Sequence, residues 1–332
     1  MTDIRPLSFE ELCDQLEQPC PTLVLLHRNP DADAVGSAFA LKQVLEDLGS
    51  TAHCMCCDEL PPHLAFLAEG MQESILPESL PESFLPQRII TVDTATTALL
   101  GSLAEIYEGQ VDLMLDHHAS AIPYANHYIA DAAATGELMF DIVKHFAQRE
   151  AVEITELLCT NLYAAISGDT GGFRFANVTP ETHIRAAELV ASGIDTEAIN
   201  RALFDSRSME QLRAMAAGIS NLHLSHNGSV AVILFPYALK AALGLEEHDL
   251  DKLIDVARSL AGVRIAIVIR QPSTEAVFRA SVRSSCDYDV SELCGLFGGG
   301  GHTRAAACTI HASDAEEAME KLVGQINFSE WN

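Results

Sequence analysis

The sequence is short of positive charge. Its 332 residues hold 20 Lys and Arg against 47 Asp and Glu, a formal net charge of −27. So acidic a surface repels long polyanions and offers no electrostatic footprint for duplex nucleic acid. A nucleic-acid substrate would have to be short, or bound in a locally basic cleft. Long apolar runs are also lacking. No stretch approaches 18 residues, and no basic segment followed by an apolar run opens the chain. The expectation is a soluble protein with no signal peptide and no membrane span. The nine cysteines lack zinc-finger spacing: Cys54, Cys56 and Cys57 cluster without a second Cys-x-x-Cys or a nearby histidine pair. They read as the reduced thiols of a cytoplasmic protein.

What the chain does have is alternation. Buried-strand composition at 22–27, 51–57, 88–94 and 111–116 alternates with helical patterning at 35–48 and 98–107, which predicts a parallel α/β sheet. Two further helices are expected over 136–149 and 155–167, and a third over 180–191, capped by Thr179 with Pro180 at its first position. The pattern then changes. Strands at 229–235, 263–270 and 276–284, with helices at 249–260, 289–296 and 314–323, predict a second, smaller α/β domain. The expected division is a larger domain over 1–194, a helical linker over 195–222, and a second domain over 223–332.

Three strands of the first domain end in polar clusters: His27 with Asp31 and Asp33; Asp93; and Asp116, His117 and His118. In open α/β sheets, ligands bind beyond the carboxyl ends of the strands, so these clusters should converge. Asp-rich turns after strands are common caps, and Asp33 could simply cap a helix. Two adjacent histidines ending a buried strand are a more specific signal. Side chains alternate along an extended tip, so one imidazole can bind metal while the other faces elsewhere. Asp169, before Gly171 and Gly172, adds a carboxylate. Two histidines and four carboxylates amount to a two-metal ligand set. Mixed oxygen and nitrogen donors favour Mn²⁺, with Mg²⁺, Fe²⁺ or Co²⁺ as alternatives, over structural zinc. Two cations roughly 3.5–4 Å apart are a usual device for phosphoester hydrolysis. In the second domain, GGGGHTRAA (298–306) reads as an anion-binding nest leading into a helix. His302, Arg304, Arg283 on the preceding strand, and Arg174 are the cations expected to meet phosphate.

In their order, the blocks HRNPDADAVGS, VDT, LDHH, GDTGGFRFANVTPET and GGGGH resemble the DHH phosphoesterase superfamily with its DHH-associated C-terminal domain. The wording FRFANVTPET and SVRSSCDYDVSELCGLFGGGGH is most similar to the branch of nanoRNases and 3'-phosphoadenosine-5'-phosphate (pAp) phosphatases. The resemblance implies an active site in the cleft between two domains. It implies that His27, Asp31 and Asp93 hold one metal, and Asp33, Asp93, His117 and Asp169 the other, with Asp93 bridging. Asp116 would orient the histidine pair and His118 would face the scissile phosphate. Arg283, Gly300, Gly301 and His302 would bind the far phosphate of the substrate. Ala307 stands where relatives often have Gly, the Asn that relatives often have near Ala121 is missing, and so is the Arg often seen after VDT; none of these is a ligand position.

The expectation is therefore a cytoplasmic, Mn²⁺-dependent phosphoesterase acting on very short RNA and on pAp. It would bind neither long duplexes nor membranes, and a homodimer is compatible with it. Two rival readings are carried. One is another hydrolase of the same chemistry, acting on cyclic dinucleotides, pyrophosphate or polyphosphate. The other is a nucleotide-binding protein with a degenerate site.

Overall fold

The computed structural model describes residues 4–69 and 74–327. The chain divides into two compact units, with the boundary between Ser206 and Arg207. That boundary falls inside the 195–222 stretch expected as a linker. Ile199 and Leu203 pack into the first core and Ala214 into the second, so both halves of the stretch are occupied by packing.

The first unit runs α1 (Phe9–Leu16), β1 (Thr22–Leu25), α2 (Ala32–Asp47), β2 (Ala52–Met55), β3 (Arg88–Val92), α3 (Ala104–Tyr107), β4 (Leu113–Asp116), β5 (Asn126–Ile129), α4 (Thr135–Ala147), α5 (Glu156–Asp169), α6 (Pro180–Ala191) and α7 (Thr196–Asn200). Its sheet has the order β2-β1-β3-β4-β5, and every neighbouring pair is parallel. Parallel strands are covered on both faces, which is why β1, β3 and β4 read as continuous apolar runs. On one face Val24, Ile90, Val92 and Leu115 pack against α2, α4 and α5. On the other, Leu23, Leu25 and Ile89 meet Leu100 and Leu103 of a short 3₁₀ stretch. Helix α2 is buried at 12 of its 16 residues, half of them Ala, Gly or Ser, so it lies deep between the sheet and α5.

Strand β5 was not expected. Its four residues are all half-buried, and it carries no apolar alternation. It forms because β4 offers a free edge and residues 5–7 bond to its far side through His127.

The second unit runs α8 (Met209–Ser220), β6 (Leu222–Ser225), β7 (Val230–Phe235), α9 (Tyr237–Leu243), α10 (Leu253–Arg258), β8 (Ile265–Arg270), β9 (Val277–Ser284), α11 (Val290–Gly295), β10 (Gly300–His302), β11 (Ala305–His311) and α12 (Ala315–Val323). Its mixed sheet has the order β10-β11-β9-β8-β7-β6, with only β7 and β8 parallel. Alternation sorts the strand residues by face. Val230, Ile267, Val282 and Ile310 pack with α11 and α12, while Ala231, Ile233 and Val268 pack with α8 and α10.

The glycine run does not lead into a helix. Gly300–His302 forms β10, hairpinned onto β11 with Gly300 opposite Ala307 and Gly301 opposite Ala306. The glycines are required by close approach. A Cβ on Gly299 would overlap the Ala307 carbonyl, one on Gly301 would overlap the Ala305 carbonyl, and Gly301 has φ +144°.

Candidate metal centre

The carboxyl ends of β1, β3 and β4 meet the start of α2 and the end of α5. His27 lies two residues beyond β1 and is pinned by a 2.8 Å hydrogen bond between its Nδ1 and the Arg28 carbonyl oxygen. That leaves Nε2 facing Asp31 Oδ1 at 3.8 Å and Asp93 Oδ2 at 3.6 Å. Asp31 is the N-cap of α2, accepting from the amides of Asp33 and Ala34 at 3.0 Å each. Asp33, which could have been that cap, sits instead in the first turn of α2 and is fully buried. Its oxygens accept from Thr135 N at 2.7 Å and Gly136 N at 2.8 Å, at the start of α4.

Asp93 follows β3 and is 3 % exposed. Its φ is +52°, a left-handed backbone that costs a non-glycine residue about 1–3 kcal/mol and clusters at functional sites. The turn directs Oδ2 toward His27 and Oδ1 toward His117, whose Nε2 is 3.6 Å away. His117 Nδ1 is hydrogen-bonded to the Ala132 carbonyl at 3.1 Å, which commits Nε2 to the cluster. That Nε2 is buried and makes no hydrogen bond, although it lies 3.1 Å from Asp169 Oδ2 and 3.7 Å from Asp33 Oδ2. An imidazole nitrogen buried among three carboxylates without a hydrogen bond suits a bound cation. Among the described residues, ligand atoms group as His27, Asp31, Asp93; as Asp33, His117, Asp169; and as Asp93, His117, His118. Asp93 and His117 each appear in two of these groups. The donors are all oxygen or imidazole nitrogen, so the residues present fit hard divalent cations.

Without a cation, protons take up the opposed charges. Burial works against a charged His27, but Asp31 and Asp93 outweigh it and raise the ring to about 12. Burial likewise opposes His117, and the carboxylates of Asp169, Asp33 and Asp93 carry it to about 11. Burial and the neighbouring charge of Asp93 push Asp33 well above the usual carboxylate range. Asp169 rises to about 6, chiefly from burial, with His117 pulling the other way.

His118 is held differently. Asp116, fully buried, accepts from both the His118 backbone amide and Nδ1 through one oxygen, each at 2.7 Å. Burial disfavours the charged ring, but Asp116 and Asp93 offset this and raise its pKa.

The residues expected to bind phosphate divide between the two units. Arg174 is exposed in the first unit, its guanidinium stacked 5.6 Å from the Phe204 ring and bonded to the Gly171 carbonyl. Arg283 is half-buried on β9, where burial lowers its pKa. Arg283 and His302 both pair with Ala305, so they share one row of the second sheet. The side chain of His302 lies outside what the structure describes. Arg304 is turned to Asp287 at 3.1 Å. Sequence reasoning also missed Thr135, whose hydroxyl donates to Asp93 Oδ1 at 2.9 Å. Its sequence signal was the Thr-Gly-Glu start of a helix that has no side-chain cap of its own.

Residues 21–166 match the N-terminal domain of the DHH family, and residues 228–327 match the DHHA1 domain. The chain belongs to the DHH family, a class of phosphodiesterases and phosphatases, and it is a phosphoesterase. Among individual relatives, it is 28% identical over 306 residues to the bifunctional oligoribonuclease and PAP phosphatase NrnA of Thermus thermophilus, covering 91% of this chain and 88% of that one. It is 25% identical over 304 residues to the Bacillus subtilis protein of the same name, covering 89% and 92%. The cyclic-di-AMP phosphodiesterase GdpP of Geobacillus thermodenitrificans is also 25% identical, covering 90% of this chain but 46% of that longer one. The solved structure of an exopolyphosphatase-related protein from Bacteroides fragilis shares the fold, with a TM-score of 0.85 at 20% identity over 95% of this chain and 94% of that one. No described helix is long and apolar enough to cross a membrane.

Proposed function

We propose that the protein hydrolyses very short RNA to 5'-mononucleotides and removes the 3'-phosphate of pAp to give AMP, with two Mn²⁺ ions at the centre described above. The observation that carries the reading is the pair of ligand groups meeting at Asp93 on its strained turn. The names of the full-length relatives supply the substrates. His27, Asp31 and Asp93 would hold one cation, and Asp33, Asp93, His117 and Asp169 the other. The pair would supply an acidified water and neutralise charge on the phosphoryl oxygens.

The chain's own residues do the rest. Asp116 keeps a proton on His118 Nδ1 and fixes the ring. His118 then presents Nε2 to a phosphoryl oxygen and, when protonated, donates to it as negative charge develops. Arg174, Arg283, Gly300, Gly301 and His302 are assigned to the phosphates that do not react. A net charge of −27 fits substrates only a few nucleotides long.

A panel decides the reading. Dinucleotides to pentanucleotides, pAp, cyclic dinucleotides and pyrophosphate are incubated with the purified protein, with and without Mn²⁺. Turnover of short RNA and pAp should require the metal and fall to background in Asp93→Ala. A Mn²⁺-loaded wild type that cleaves neither would sink the proposal. Preference for cyclic dinucleotides would move the protein toward the activity named for the longer relative.

A further inference from the structure

The turn that leads into α4 touches three of the six ligand residues and reaches a fourth, Asp169, through Asn177, and no part of the chemistry above uses it. Thr135 is fully buried. Its hydroxyl donates to Asp93 Oδ1 at 2.9 Å, and its amide to Asp33 Oδ2 at 2.7 Å. Three residues earlier, the Ala132 carbonyl meets His117 Nδ1 at 3.1 Å. Asn177 Nδ2 joins the Ala133 carbonyl at 2.9 Å to the Asp169 carbonyl at 3.2 Å. Glu137, 3 % exposed, accepts from Ala133 N at 3.3 Å and ties the turn to the helix behind it.

The start of α4 explains this concentration. Ala134 occupies the N-cap and has no side-chain oxygen to satisfy the first amides. Asp33, 102 residues earlier in sequence, caps the helix instead. The positive end of the helix dipole thus faces two carboxylates that a cation must share. Asp93 has its two oxygens turned to different histidines, and rotation about its final torsion would exchange them. Within the turn, the Thr135 hydroxyl is the donor that opposes this rotation.

We propose that Thr135 is a positioning residue: it locks the Asp93 carboxylate across the two ligand groups and couples the start of α4 to metal occupancy. The proposal rests on the metal-centre reading above but not on the identity of the substrate. A residue that only anchored the helix would affect stability and leave metal affinity unchanged.

The test compares Thr135→Val, which keeps shape and loses the hydroxyl, with Thr135→Ser, which keeps the hydroxyl. Metal-free protein is titrated calorimetrically with Mn²⁺ alone, and the loaded protein's electron paramagnetic resonance spectrum reports coupling between the two ions. In the Val variant, affinity for the weaker Mn²⁺ equivalent should drop by about 10- to 100-fold, the loss typical when a partner of a metal ligand is removed. The coupled-ion signal should change, and kcat should fall by a similar factor while KM for a dinucleotide is retained. The Ser variant should recover affinity and spectrum. If Thr135→Val does not fold, Thr135→Ala against Thr135→Ser gives the same comparison. Wild-type affinity and spectrum in the Val variant would overturn the proposal, as would equal losses in Val and Ser or a wild type that takes up no Mn²⁺. If the wild type cleaves no nucleotide but the Val variant still loosens Mn²⁺, the substrate reading fails and the role of Thr135 stands.

Discussion

Asp116 and His118 show how much one buried carboxylate can decide. A single Asp116 oxygen receives two donors, and its other oxygen is buried without a partner among the described residues. One carboxylate atom thus holds both the backbone and the ring of His118 and fixes the orientation of that ring. Asp116→Asn removes the charge and keeps the shape. The His118 pKa, raised in the native protein by this contact, should come down. If protonated His118 donates to the phosphate, the alkaline limb of the kcat–pH profile should move to lower pH. The rate at neutral pH should drop by about 10²-fold or more, within the range for positioned proton donors. An unmoved alkaline limb in Asp116→Asn would remove His118 from the proton-donor role.

At the scale of elements, the β10–β11 hairpin separates two uses of glycine. Gly301 adopts φ +144° against the Ala305 carbonyl, whereas a Cβ on Gly300 would meet open space. Gly301→Ala should lower the unfolding free energy by about 1 kcal/mol or more, and Gly300→Ala should leave it nearly unchanged, as read by urea unfolding. Equal effects would mean that the register of β10 is not what demands glycine.

The same hairpin marks where sequence patterning ran out. Alternation of strand and helix made the first sheet legible, and with it the convergence of His27, Asp93 and His117, because parallel strands deliver their carboxyl ends to one edge. A glycine run has no side chains to pattern, so a strand and an anion nest look alike. β5 and β6 were invisible for a related reason: each has four residues, none buried, and owes its existence to a neighbour's free edge. The role of Thr135 was hidden because its partners stand 42 and 102 residues away in sequence.

For the whole molecule, the metal centre places a stability term on the pH axis. In metal-free protein, His27 at about 12 and His117 at about 11 stand above the ordinary 6.5, held there by carboxylates that outweigh burial. Asp169 at about 6 and Asp33 are raised as well, chiefly by burial. Groups raised on folding stabilise most fully below their unfolded pKa, and that contribution is lost as pH climbs through the folded value. All four therefore act in the same direction. The melting temperature of chelated protein should fall as pH goes from 6 to 10, with the histidines contributing to the loss across that range. If Mn²⁺ binds at this centre, it would have to displace the protons on Nε2 of His27 and His117, so its uptake should release protons into the buffer and weaken as pH falls. Added Mn²⁺ should then raise the melting temperature by more at pH 9 than at pH 6. Differential scanning fluorimetry across that range, with and without metal, makes the comparison in a protein whose net charge of −27 otherwise favours the acidic side. That general charge effect persists when Mn²⁺ is bound, whereas the contribution of the site does not. A chelated and a loaded protein that lose stability in parallel with rising pH would trace the dependence to surface charge and not to the ligands of the centre.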